Sequence, residues 1–263
     1  MNSRIKQLII IVLSLFISLP SIAQNYKRAE WSRVKMDENY DCKKRELKKL
    51  KTHTIIEKYK PAIDSLYKVI GHSTTEIERF PPESPLSNFT ADAIRSTADK
   101  YLEKKGETEK TDMAVTNFGG IRTSIPAGDI STADIMSVFP FENRVVIVNI
   151  QGKYIRQMMQ NFARTHRVEA LSGVEVVINN GKLEKCLIGG SPIDDNKIYR
   201  VATIDFLMAG GDNVFSFKNN NGIVETGVLI RESIIKMIID ETAAGRDINP
   251  QKDGRVKIIG SAK

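Results

Sequence analysis

The sequence predicts an α+β fold with a mixed β-sheet and packed helices. Segments with apolar residues at helical spacing mix with short segments rich in valine and isoleucine, without a regular strand–helix–strand repeat. The chain has 263 residues, of which 41% are hydrophobic and 27% charged, a composition typical of a globular protein that can bury a core. No apolar run reaches the roughly 18 residues needed to cross a bilayer, which excludes a polytopic membrane protein.

The first 23 residues have the three parts of a secretory signal peptide. Residues 1–6 carry two cations, residues 8–19 are almost wholly apolar, and residues 20–23 supply a proline and small residues before a cleavage site. The apolar run is too short for a membrane anchor. We therefore expect cleavage after Ala23, export to the periplasm or the extracellular space, and no membrane span in the mature chain.

Residues 24–70 are predicted to form a polar N-terminal segment followed by a linker-like helix. Much of the net charge of +7 lies in a basic run over residues 42–51, which is typical of a solvated helix face or of a surface that attracts anions. We favour the helix face, because no aromatic residue is interleaved with the cations. A nucleic-acid polymer is therefore not an expected partner. Helical spacing extends from residue 43 to residue 69, and Pro61 is expected to kink this helix or start a second one.

Residues 71–263 are predicted to form the main domain. Its expected elements, in order, are a short strand over 74–78, a helix over 84–104, a strand over 112–116, a short helix capped by Ser131 or Thr132, a strand over 144–151, a helix over 152–164, a hairpin of strands 174–178 and 183–188, a strand over 197–204, a helix over 229–244 and a strand over 256–259. Export would make a disulfide between Cys42 and Cys186 chemically possible. Two cysteines far apart are weak evidence for one, and we do not predict it.

Three loops have compositions that packing alone does not require, and the first covers residues 117–122, with the sequence NFGGIR. Adjacent Gly119 and Gly120 allow the backbone to approach a ligand closely, and their amides can face an anion. Arg122 can pair with phosphate or carboxylate through its planar guanidinium. An ordinary tight turn with a surface arginine is the commoner origin of such a motif.

The second loop covers residues 139–143, with the sequence FPFEN. An aromatic ring beside a proline, such as Phe141, can stack on a planar base, and Asn143 can pair with the edge of that base. Phenylalanine is more often a core residue than a ligand contact, so the loop alone leaves both interpretations open.

The third loop covers residues 206–213, with the sequence FLMAGGDN. Gly210 and Gly211 permit a sharp turn, and Asp212 can accept hydrogen bonds from sugar hydroxyls. The triplet Gly211-Asp212-Asn213 also suggests a two-metal phosphoesterase, but that class needs several histidines and an Asn-His pair. The sequence has three histidines in unrelated contexts and no Asn-His, so we expect no metal site and no cofactor on this chain.

Four motifs stand in an order that resembles a known family. They cover residues 83–93 (ESPLSNFTADA), 116–122 (TNFGGIR), 138–143 (VFPFEN) and 206–212 (FLMAGGD). From about residue 60 to the end, the chain resembles the C-terminal, substrate-binding domain of the 5'-nucleotidase family. In that family a separate N-terminal metallophosphoesterase domain holds two metals, and the C-terminal domain binds the nucleotide.

The resemblance implies which residues contact the substrate. The implied side chains are Phe141 and Phe206 for the base, Arg122 for phosphate or ribose oxygens, Asn117 and Asn143 as polar contacts in the nucleoside pocket, and Asp212 for the ribose hydroxyls. The backbone of the loops is expected to turn at Gly119, Gly120, Gly210 and Gly211.

The sequence also departs from the family pattern at three positions. Pro82 stands where many members have an arginine, so a phosphate contact must come from elsewhere, with Arg79 and Arg95 as alternatives. Phe118 and Glu142 stand where glycine is common. These two side chains are expected to narrow the pocket or change its charge.

The part of the chain before the main domain is too short for a metallophosphoesterase domain. Residues 57–71 resemble the end of the helical linker that joins the two domains in full-length members, and only about 35 residues separate this segment from the signal peptide. We therefore expect a free-standing nucleotide-binding half, with the divalent metals held by a separate metallophosphoesterase chain.

The expected function is nucleotide catabolism by an exported 5'-nucleotidase-type phosphoesterase, with this chain positioning the substrate. The alternative is a binding module for nucleotides or nucleosides without catalysis. A third interpretation is a structural descendant of the family that binds no ligand. Alone, the chain is expected to hydrolyse no nucleotide.

Overall fold

The computed structural model describes residues 51–260. The signal peptide, the polar segment and Cys42 lie outside the described residues, as does the basic run except for its last residue. The predicted domain boundaries after residues 23 and 70 stay predictions. The helices are α1 (Lys51–Leu66), α2 (Pro85–Lys104), α3 (Thr132–Val138), α4 (Gly152–Thr165), α5 (Asp205–Met208) and α6 (Ile230–Ala243). The strands are β1 (Val69–Ser73), β2 (Met113–Thr116), β3 (Gly128–Ser131), β4 (Arg144–Gln151), β5 (Ala170–Ser172), β6 (Val174–Asn179), β7 (Lys182–Ile188), β8 (Ser191–Pro192), β9 (Ile198–Ile204), β10 (Asn220–Leu229) and β11 (Val256–Ile259).

A five-stranded mixed sheet organises the domain, in the order β10-β4-β9-β2-β5. β2 and β9 are parallel, whereas the other neighbours in this sheet are antiparallel. The sequence of β4, RVVIVNIQ, explains its central place: its branched side chains suit a strand, and Val145–Val148 are all buried. Helix α2 packs on β2 and β5, and α4 packs on β4 and β7.

A second mixed sheet contains four strands, in the order β11-β6-β7-β8. β6 and β7 form the predicted hairpin, and its turn residues Asn180 and Gly181 have φ of 48° and 76°. Such positive φ values are what a two-residue hairpin turn requires, and Asn-Gly adopts them readily. With helices packed on mixed sheets, the predicted α+β class is confirmed.

Helix starts follow the expected capping chemistry. Ser84 precedes α2, and its side chain accepts a hydrogen bond from the backbone of Ser87, whose hydroxyl accepts in return from the Ser84 backbone. Ser131 and Asp134 form the same reciprocal box at the start of α3. These caps supply acceptors for backbone N–H groups that have no partner inside the helix.

Some elements differ from the sequence prediction. Pro61 lies inside α1, which continues through it without starting a second helix. The strand expected at 74–78 is instead β1 at Val69–Ser73, followed by a single bridge between Ile77 and Ile125. Strand β10 was not expected, because its sequence NNGIVETGVL contains two glycines and polar residues. No helix within residues 51–260 is both long enough and apolar enough to cross a bilayer.

Glu83, just before α2, joins the start of the domain to its last strand. Its side chain is 3% exposed. Its carboxylate accepts hydrogen bonds from the side chain of Asn88 and from the backbone N–H groups of Asp253, Gly254 and Val256. The first family motif therefore includes a residue that closes the fold, at a distance along the chain of about 170 residues.

Candidate functional site

The three loops that the sequence singles out meet at one edge of the five-stranded sheet. β2 and β9 are parallel neighbours, so residues 117–122 and 205–213, which follow them, leave the sheet at the same edge. β4 runs antiparallel to β9, with Val145 opposite Ile204, and the loop that precedes β4, residues 139–143, therefore lies at this edge as well. The sheet topology, rather than proximity in sequence, assembles the site.

A hydrogen bond connects the first loop to the third. The side-chain Nδ2 of Asn117 donates to Asp212 Oδ2 over 2.5 Å. Asn117 is 5% exposed, and its Oδ1 is buried without a hydrogen-bond partner among the described residues. A buried acceptor without a partner lowers the free energy of unfolding, and such atoms in native proteins commonly bind a water or a ligand.

The paired glycines of the first loop leave room for Asn117. A Cβ placed on Gly120 would lie 2.8 Å from Asn117 Oδ1, and one on Gly119 would lie 3.3 Å from Asn117 Nδ2. A side chain at Gly120 would thus displace the amide that binds Asp212. The two glycines therefore leave space for the Asn117 side chain, in addition to allowing a ligand to approach the backbone.

The third loop presents Phe206 against its own glycines. Gly210 has φ of 99°, a conformation that favours glycine, and a Cβ on Gly211 would overlap the Phe206 ring. Phe206 is nevertheless 43% exposed. One face of the loop therefore supports the ring, and the ring remains accessible to solvent.

Arg122 bridges the first and second loops. Its Nη1 donates to the Gly119 carbonyl over 3.2 Å, and its guanidinium carbon lies 5.9 Å from the centroid of the Phe141 ring. Phe141 is 48% exposed. The core interpretation of Phe141 is therefore wrong, and an exposed cation lies beside its ring.

A small pocket lies among the first two loops and the strand ends. Its lining comprises Thr116, Asn117, Gly120, Ile121, Phe139, Phe141, Asn143, Ile204 and Ile230. Asn143 is half-buried there, and its carbonyl accepts a hydrogen bond from the Ile230 amide at the start of α6 over 3.0 Å. Arg122, Phe206 and Asp212 do not line this pocket. Arg122 and Asp212 contact its lining residues Phe141 and Asn117, whereas Phe206 lies against Gly211, outside the lining.

Glu169 is a further residue at this edge that the sequence did not single out. β5 is antiparallel to β2, with Ala170 opposite Thr116, which places the residue before β5 beside the first loop. Glu169 Oε2 accepts the backbone N–H of Phe118 over 2.7 Å. The sequence alone offered one signal, which is an acidic residue between the apolar Val168 and Ala170. Both of these neighbours are buried.

The charge of Glu169 depends on its surroundings. Burial raises its pKa to about 7 and outweighs the hydrogen bond from Phe118, which acts in the opposite direction. The negative charge of Asp212 raises this pKa further, while Arg167 and Arg79 lower it. A carboxyl group that titrates near neutral pH therefore contacts the backbone of the first loop.

The two side chains that replace common glycines do not narrow the site. Phe118 is 8% exposed and packs with Ala91 and Ala170, so the expectation that it narrows the pocket is wrong. Glu142 pairs with Arg231 over 3.0 Å, and that cation offsets the added negative charge.

Of the two arginines considered as substitutes at position 82, Arg79 lies beside the first loop. Its Nη2 donates to the Phe118 carbonyl over 2.9 Å, and its Nε is buried without a partner among the described residues. Arg95 instead donates to the carbonyl of Thr111, ahead of β2.

The described residues do not fit a two-metal centre. Within residues 51–260, no group of three or more histidine, cysteine, aspartate or glutamate side chains is arranged to hold a metal ion. His72 pairs with Asp247 at 3.4 Å, and His166 ends α4 in a left-handed conformation. Asp212 is hydrogen-bonded to Asn117.

Comparison with known proteins agrees with this architecture. The family model of the 5'-nucleotidase C-terminal domain matches residues 69–219. Protein UshA of Escherichia coli is 37% identical over 136 residues, which make up 50% of this chain and 24% of that protein. A 5'-nucleotidase of Vibrio vulnificus is 30% identical over 142 residues, 52% of this chain and 25% of that protein. The matched region thus spans about a quarter of these relatives.

Solved structures show the same fold at lower identity. A 5'-nucleotidase precursor from Thermus thermophilus has a TM-score of 0.68 at 22% identity, over 80% of this chain and 43% of that one. An NAD nucleotidase from Haemophilus influenzae has a TM-score of 0.60 at 22% identity, over 88% and 47% of the two chains. With a family model that matches more than half of its residues, this chain belongs to the family of 5'-nucleotidase C-terminal domains.

Proposed function

We propose that this chain is the nucleotide-binding half of an exported 5'-nucleotidase-type phosphoesterase, and that it acts with a separate metallophosphoesterase chain. The observation that carries the proposal is the meeting of three loops at one sheet edge. There, the exposed Phe141 ring lies beside the exposed Arg122 guanidinium. The exposed Phe206 ring lies against Gly211, next to the Asp212 carboxylate that binds Asn117. These groups suit the base, the phosphate and the sugar of a nucleotide.

The base would stack on the exposed rings of Phe141 and Phe206. Flat aromatic faces bind any base, because every base has a π-face. Arg122 lies beside Phe141 and has an exposed guanidinium, which is suited to phosphate oxygens. A base on the ring would place its phosphate within reach of this cation.

The sugar would bind at the hydrogen bond between the first and third loops. Asp212 uses one carboxylate oxygen on Asn117, which leaves the other to accept from a ribose hydroxyl. The buried Oδ1 of Asn117 lacks a partner within residues 51–260 and can accept a second donor. Asn143, in the neighbouring pocket, supplies a further amide for the nucleoside.

In this proposal the two chains divide the work. The partner chain holds the divalent metals that activate the attacking water, and this chain holds the nucleotide so that its phosphate meets that centre. Its contribution to rate is positioning, which converts a two-body encounter into reaction within one complex. The absence of a metal-ligand group from the described residues equally suits the second candidate, a binding module that acts without catalysis.

A phosphatase assay tests the proposal. Nucleoside monophosphates are incubated with this chain, with a candidate single-domain metallophosphoesterase from the same organism, and with the mixture, each with added divalent metal. We expect turnover above either component in the mixture, and no useful turnover by this chain alone. Phe206→Ala should reduce the stimulation, whereas Glu175→Gln, at an exposed residue paired with Lys185, should not.

The outcomes separate the candidate functions. Calorimetric binding of nucleotide without stimulation by any such partner would support the binding module. Metal-dependent turnover that stays with this chain through purification would contradict the division of work. Failure to bind nucleotides at all would overturn both functions.

Export is tested separately. Expression of the full sequence, cell fractionation and N-terminal sequencing should give a protein outside the cytoplasm that begins at Gln24. An intact Met1 in the cytoplasmic fraction would contradict this part of the proposal. The result does not depend on nucleotide binding.

A further inference from the structure

The backbone of Phe118, in the first loop, is held on both sides by charged side chains. Glu169 Oε2 accepts its N–H over 2.7 Å, and Arg79 Nη2 donates to its carbonyl over 2.9 Å. Glu169 lies directly before β5, and Arg79 lies in the segment before α2, so two distant parts of the chain meet at this residue. Hydrogen bonds to charged groups are stronger than those between neutral groups. The position of Phe118 is therefore fixed at both of its peptide groups.

Asn117, directly before Phe118, depends on this fixed backbone. The Phe118 side chain is itself buried, which adds a third constraint on the first loop. From this backbone the Asn117 side chain donates to Asp212 in the third loop. Neither Glu169 nor Arg79 lines the small pocket, so their hydrogen bonds act on a ligand through the first loop.

Glu169 is also coupled electrostatically to the third loop. Burial raises its pKa to about 7 and outweighs the hydrogen bond from Phe118, and the negative charge of Asp212 raises that pKa further. Arg167 and Arg79 lower it. Arg167 is exposed, whereas the half-buried Arg79 also holds Phe118. The charge of Glu169 therefore depends on the residue that is proposed to bind the ribose.

The other charges close to β5 are engaged elsewhere. Helix α2 packs on β5, and its Asp92 pairs with Arg255 at 2.8 Å. Arg95, also in α2, donates to a backbone carbonyl ahead of β2. Among the described residues, Asp212 is thus the acid whose charge acts on Glu169.

A ligand on Asp212 would change the interaction between the two carboxylates. It would exclude water from Asp212, and weaker screening strengthens the repulsion between like charges. The protonated form of Glu169 is then favoured, so its pKa rises when the ligand binds. By linkage, such a ligand binds more tightly where Glu169 is already protonated, which is at lower pH. A protonated carboxyl group keeps an oxygen that accepts the Phe118 N–H, so the first loop keeps its position in both charge states.

We propose that Glu169 and Arg79 are positioning residues of the candidate site, and that Glu169 takes up a proton from solvent when a nucleoside binds to Asp212. The two residues act through the backbone of Phe118, and no covalent bond changes. The ligand class rests on the proposed function. The positioning role rests on the hydrogen bonds at 2.7 and 2.9 Å, and the proton uptake rests on the coupling between Glu169 and Asp212.

Titration calorimetry of the full chain with adenosine tests the proton uptake. Adenosine has no group that titrates near neutral pH, so any pH dependence belongs to the protein. We expect binding roughly threefold tighter at about pH 6 than at about pH 8, because the pKa of Glu169 in the free protein is about 7. Near neutral pH, two buffers that differ in ionisation enthalpy should give different binding enthalpies, which reports the uptake of a proton.

Two glutamine variants identify the titrating group. Glu169→Gln cannot titrate and keeps an oxygen for the Phe118 N–H, so it should bind adenosine equally well at both pH values. Its affinity should match that of the unchanged protein at the lower pH. Glu175→Gln, at an exposed ion pair with Lys185, should keep the pH dependence of the unchanged protein.

Two arginine variants separate position from charge. Arg79→Met loses both a cation and the hydrogen bond to the Phe118 carbonyl, whereas Arg167→Met, at an exposed residue, removes a cation and leaves the Phe118 contacts in place. Both should move the midpoint of the pH dependence upward, since each arginine lowers the pKa of Glu169. Only Arg79→Met should weaken adenosine at every pH, by roughly fivefold, as expected for one hydrogen bond. If Arg79→Met loses its folded circular dichroism spectrum, Arg79→Lys, which keeps the cation without the planar guanidinium, should weaken adenosine without moving the midpoint.

The results distinguish this inference from the proposed function. Equal affinity for adenosine at both pH values in the unchanged protein would overturn the proton uptake and leave the nucleotide site in place. A pH dependence that persists in Glu169→Gln would belong to another group and overturn the role of Glu169. Unchanged affinity in Arg79→Met would overturn its positioning role. Absence of adenosine binding by the unchanged protein at both pH values would overturn the proposed nucleotide site together with this inference.

Discussion

Two carboxylates, the buried Glu83 and the half-buried Glu169, have different roles in this domain. Glu83 accepts four hydrogen bonds, three of them from the backbone of residues 253–256. Glu169 accepts one, from the backbone N–H of Phe118, and burial raises its pKa to about 7. The fully bonded carboxylate closes the fold, whereas the sparsely bonded one lies beside the candidate site. The supply of donors therefore separates a structural acid from an acid that can change its charge.

The same contrast extends to the surroundings of each carboxylate. Around Glu83, the side chains of Ser84, Ser87 and Asn88 are buried and hydrogen-bonded. Around Glu169, Asn117 Oδ1 and Arg79 Nε are buried without partners in the described part of the chain. The polar groups around Glu83 have hydrogen-bond partners within the protein. Those around Glu169 lack some of theirs, as is typical of functional sites.

Among the charged residues, removal of Glu83 is expected to have the largest effect. Glu83→Ala leaves the amides of Asp253, Gly254 and Val256 without their acceptor, and we expect a loss of about 3–4 kcal/mol in the free energy of unfolding. Urea unfolding followed by circular dichroism measures it. Glu175→Ala, at an exposed ion pair with Lys185, is the matched control and should cost less than about 1 kcal/mol. A loss below about 1 kcal/mol at Glu83 would remove the distinction between the two carboxylates.

Arg122 and Asp212 should affect ligands rather than folding. Arg122→Ala is expected to weaken a nucleoside monophosphate by about 1.5–3 kcal/mol and the matching nucleoside by much less, since its guanidinium pairs with phosphate. Asp212→Ala should weaken both about equally, and lose its effect against a dideoxynucleoside. Titration calorimetry gives these values.

The control for this pair is Arg144→Ala. Arg144 is exposed and donates to the Gly227 carbonyl at the same sheet edge, and its removal should change neither affinity by more than about 0.5 kcal/mol. If Arg122→Ala cost the nucleoside as much as the monophosphate, the phosphate role would be wrong. The first loop would then be a structural turn, like the region around Glu83.

The exposed rings are expected to give smaller effects. Phe141→Ala and Phe206→Ala should each weaken nucleoside binding by about 1–3 kcal/mol and leave the protein folded. Phe139→Ala is the contrast, because Phe139 is 2% exposed and its removal should destabilise the fold instead by about 3–5 kcal/mol. Calorimetry and thermal unfolding monitored by circular dichroism separate the two kinds of loss. Unfolding of both exposed-ring variants would show that these rings stabilise the fold and would contradict their assignment to the ligand.

The smallest effect concerns the pH dependence that Glu169 confers. Because its pKa rises from 4.5 to about 7 on folding, the folded protein keeps a proton there that the unfolded chain releases at lower pH. This contribution to stability is present below about pH 4.5 and is lost as the pH rises through 7. Glu169→Gln mimics the protonated form and retains an oxygen for the Phe118 amide.

We therefore expect Glu169→Gln to gain about 1–2 kcal/mol relative to the unchanged protein between about pH 5 and pH 8. The measurement is urea unfolding of both proteins at the two pH values, with Glu175→Gln as the control. A difference between the two proteins that does not change with pH would show that Glu169 does not titrate in this range.

Sequence reasoning worked best where local chemistry decides the structure. The Ser131 cap, the Asn180-Gly181 hairpin turn and the branched residues of β4 each specify their element from neighbouring residues. β10 escaped prediction because it gains its place through pairing with β4, whereas its own residues, including Gly222 and Gly227, disfavour a strand.

For the site, the loops and their residues could be predicted from the sequence. Their proximity could not, because it depends on how the strands pair in the sheet. Asn117 and Asp212 stand 95 residues apart, and their hydrogen bond could not be inferred from spacing. Glu169 was missed for the same reason, since its partner Phe118 lies 51 residues earlier. That Phe118 packs with Ala91 and Ala170, and not in the pocket, depends equally on contacts between distant segments.

The closure at Glu83 also bears on when the domain can fold during synthesis. Its backbone partners follow it by about 170 residues. The last strand, β11, belongs to the same late part of the chain and pairs with the earlier β6. A ribosome that has made α2 and the first loop has therefore not yet supplied the donors for a carboxylate that the finished domain buries. The segments made first cannot bury Glu83 in its final surroundings until residues 253–259 have been synthesised, because the contacts between them are long-range.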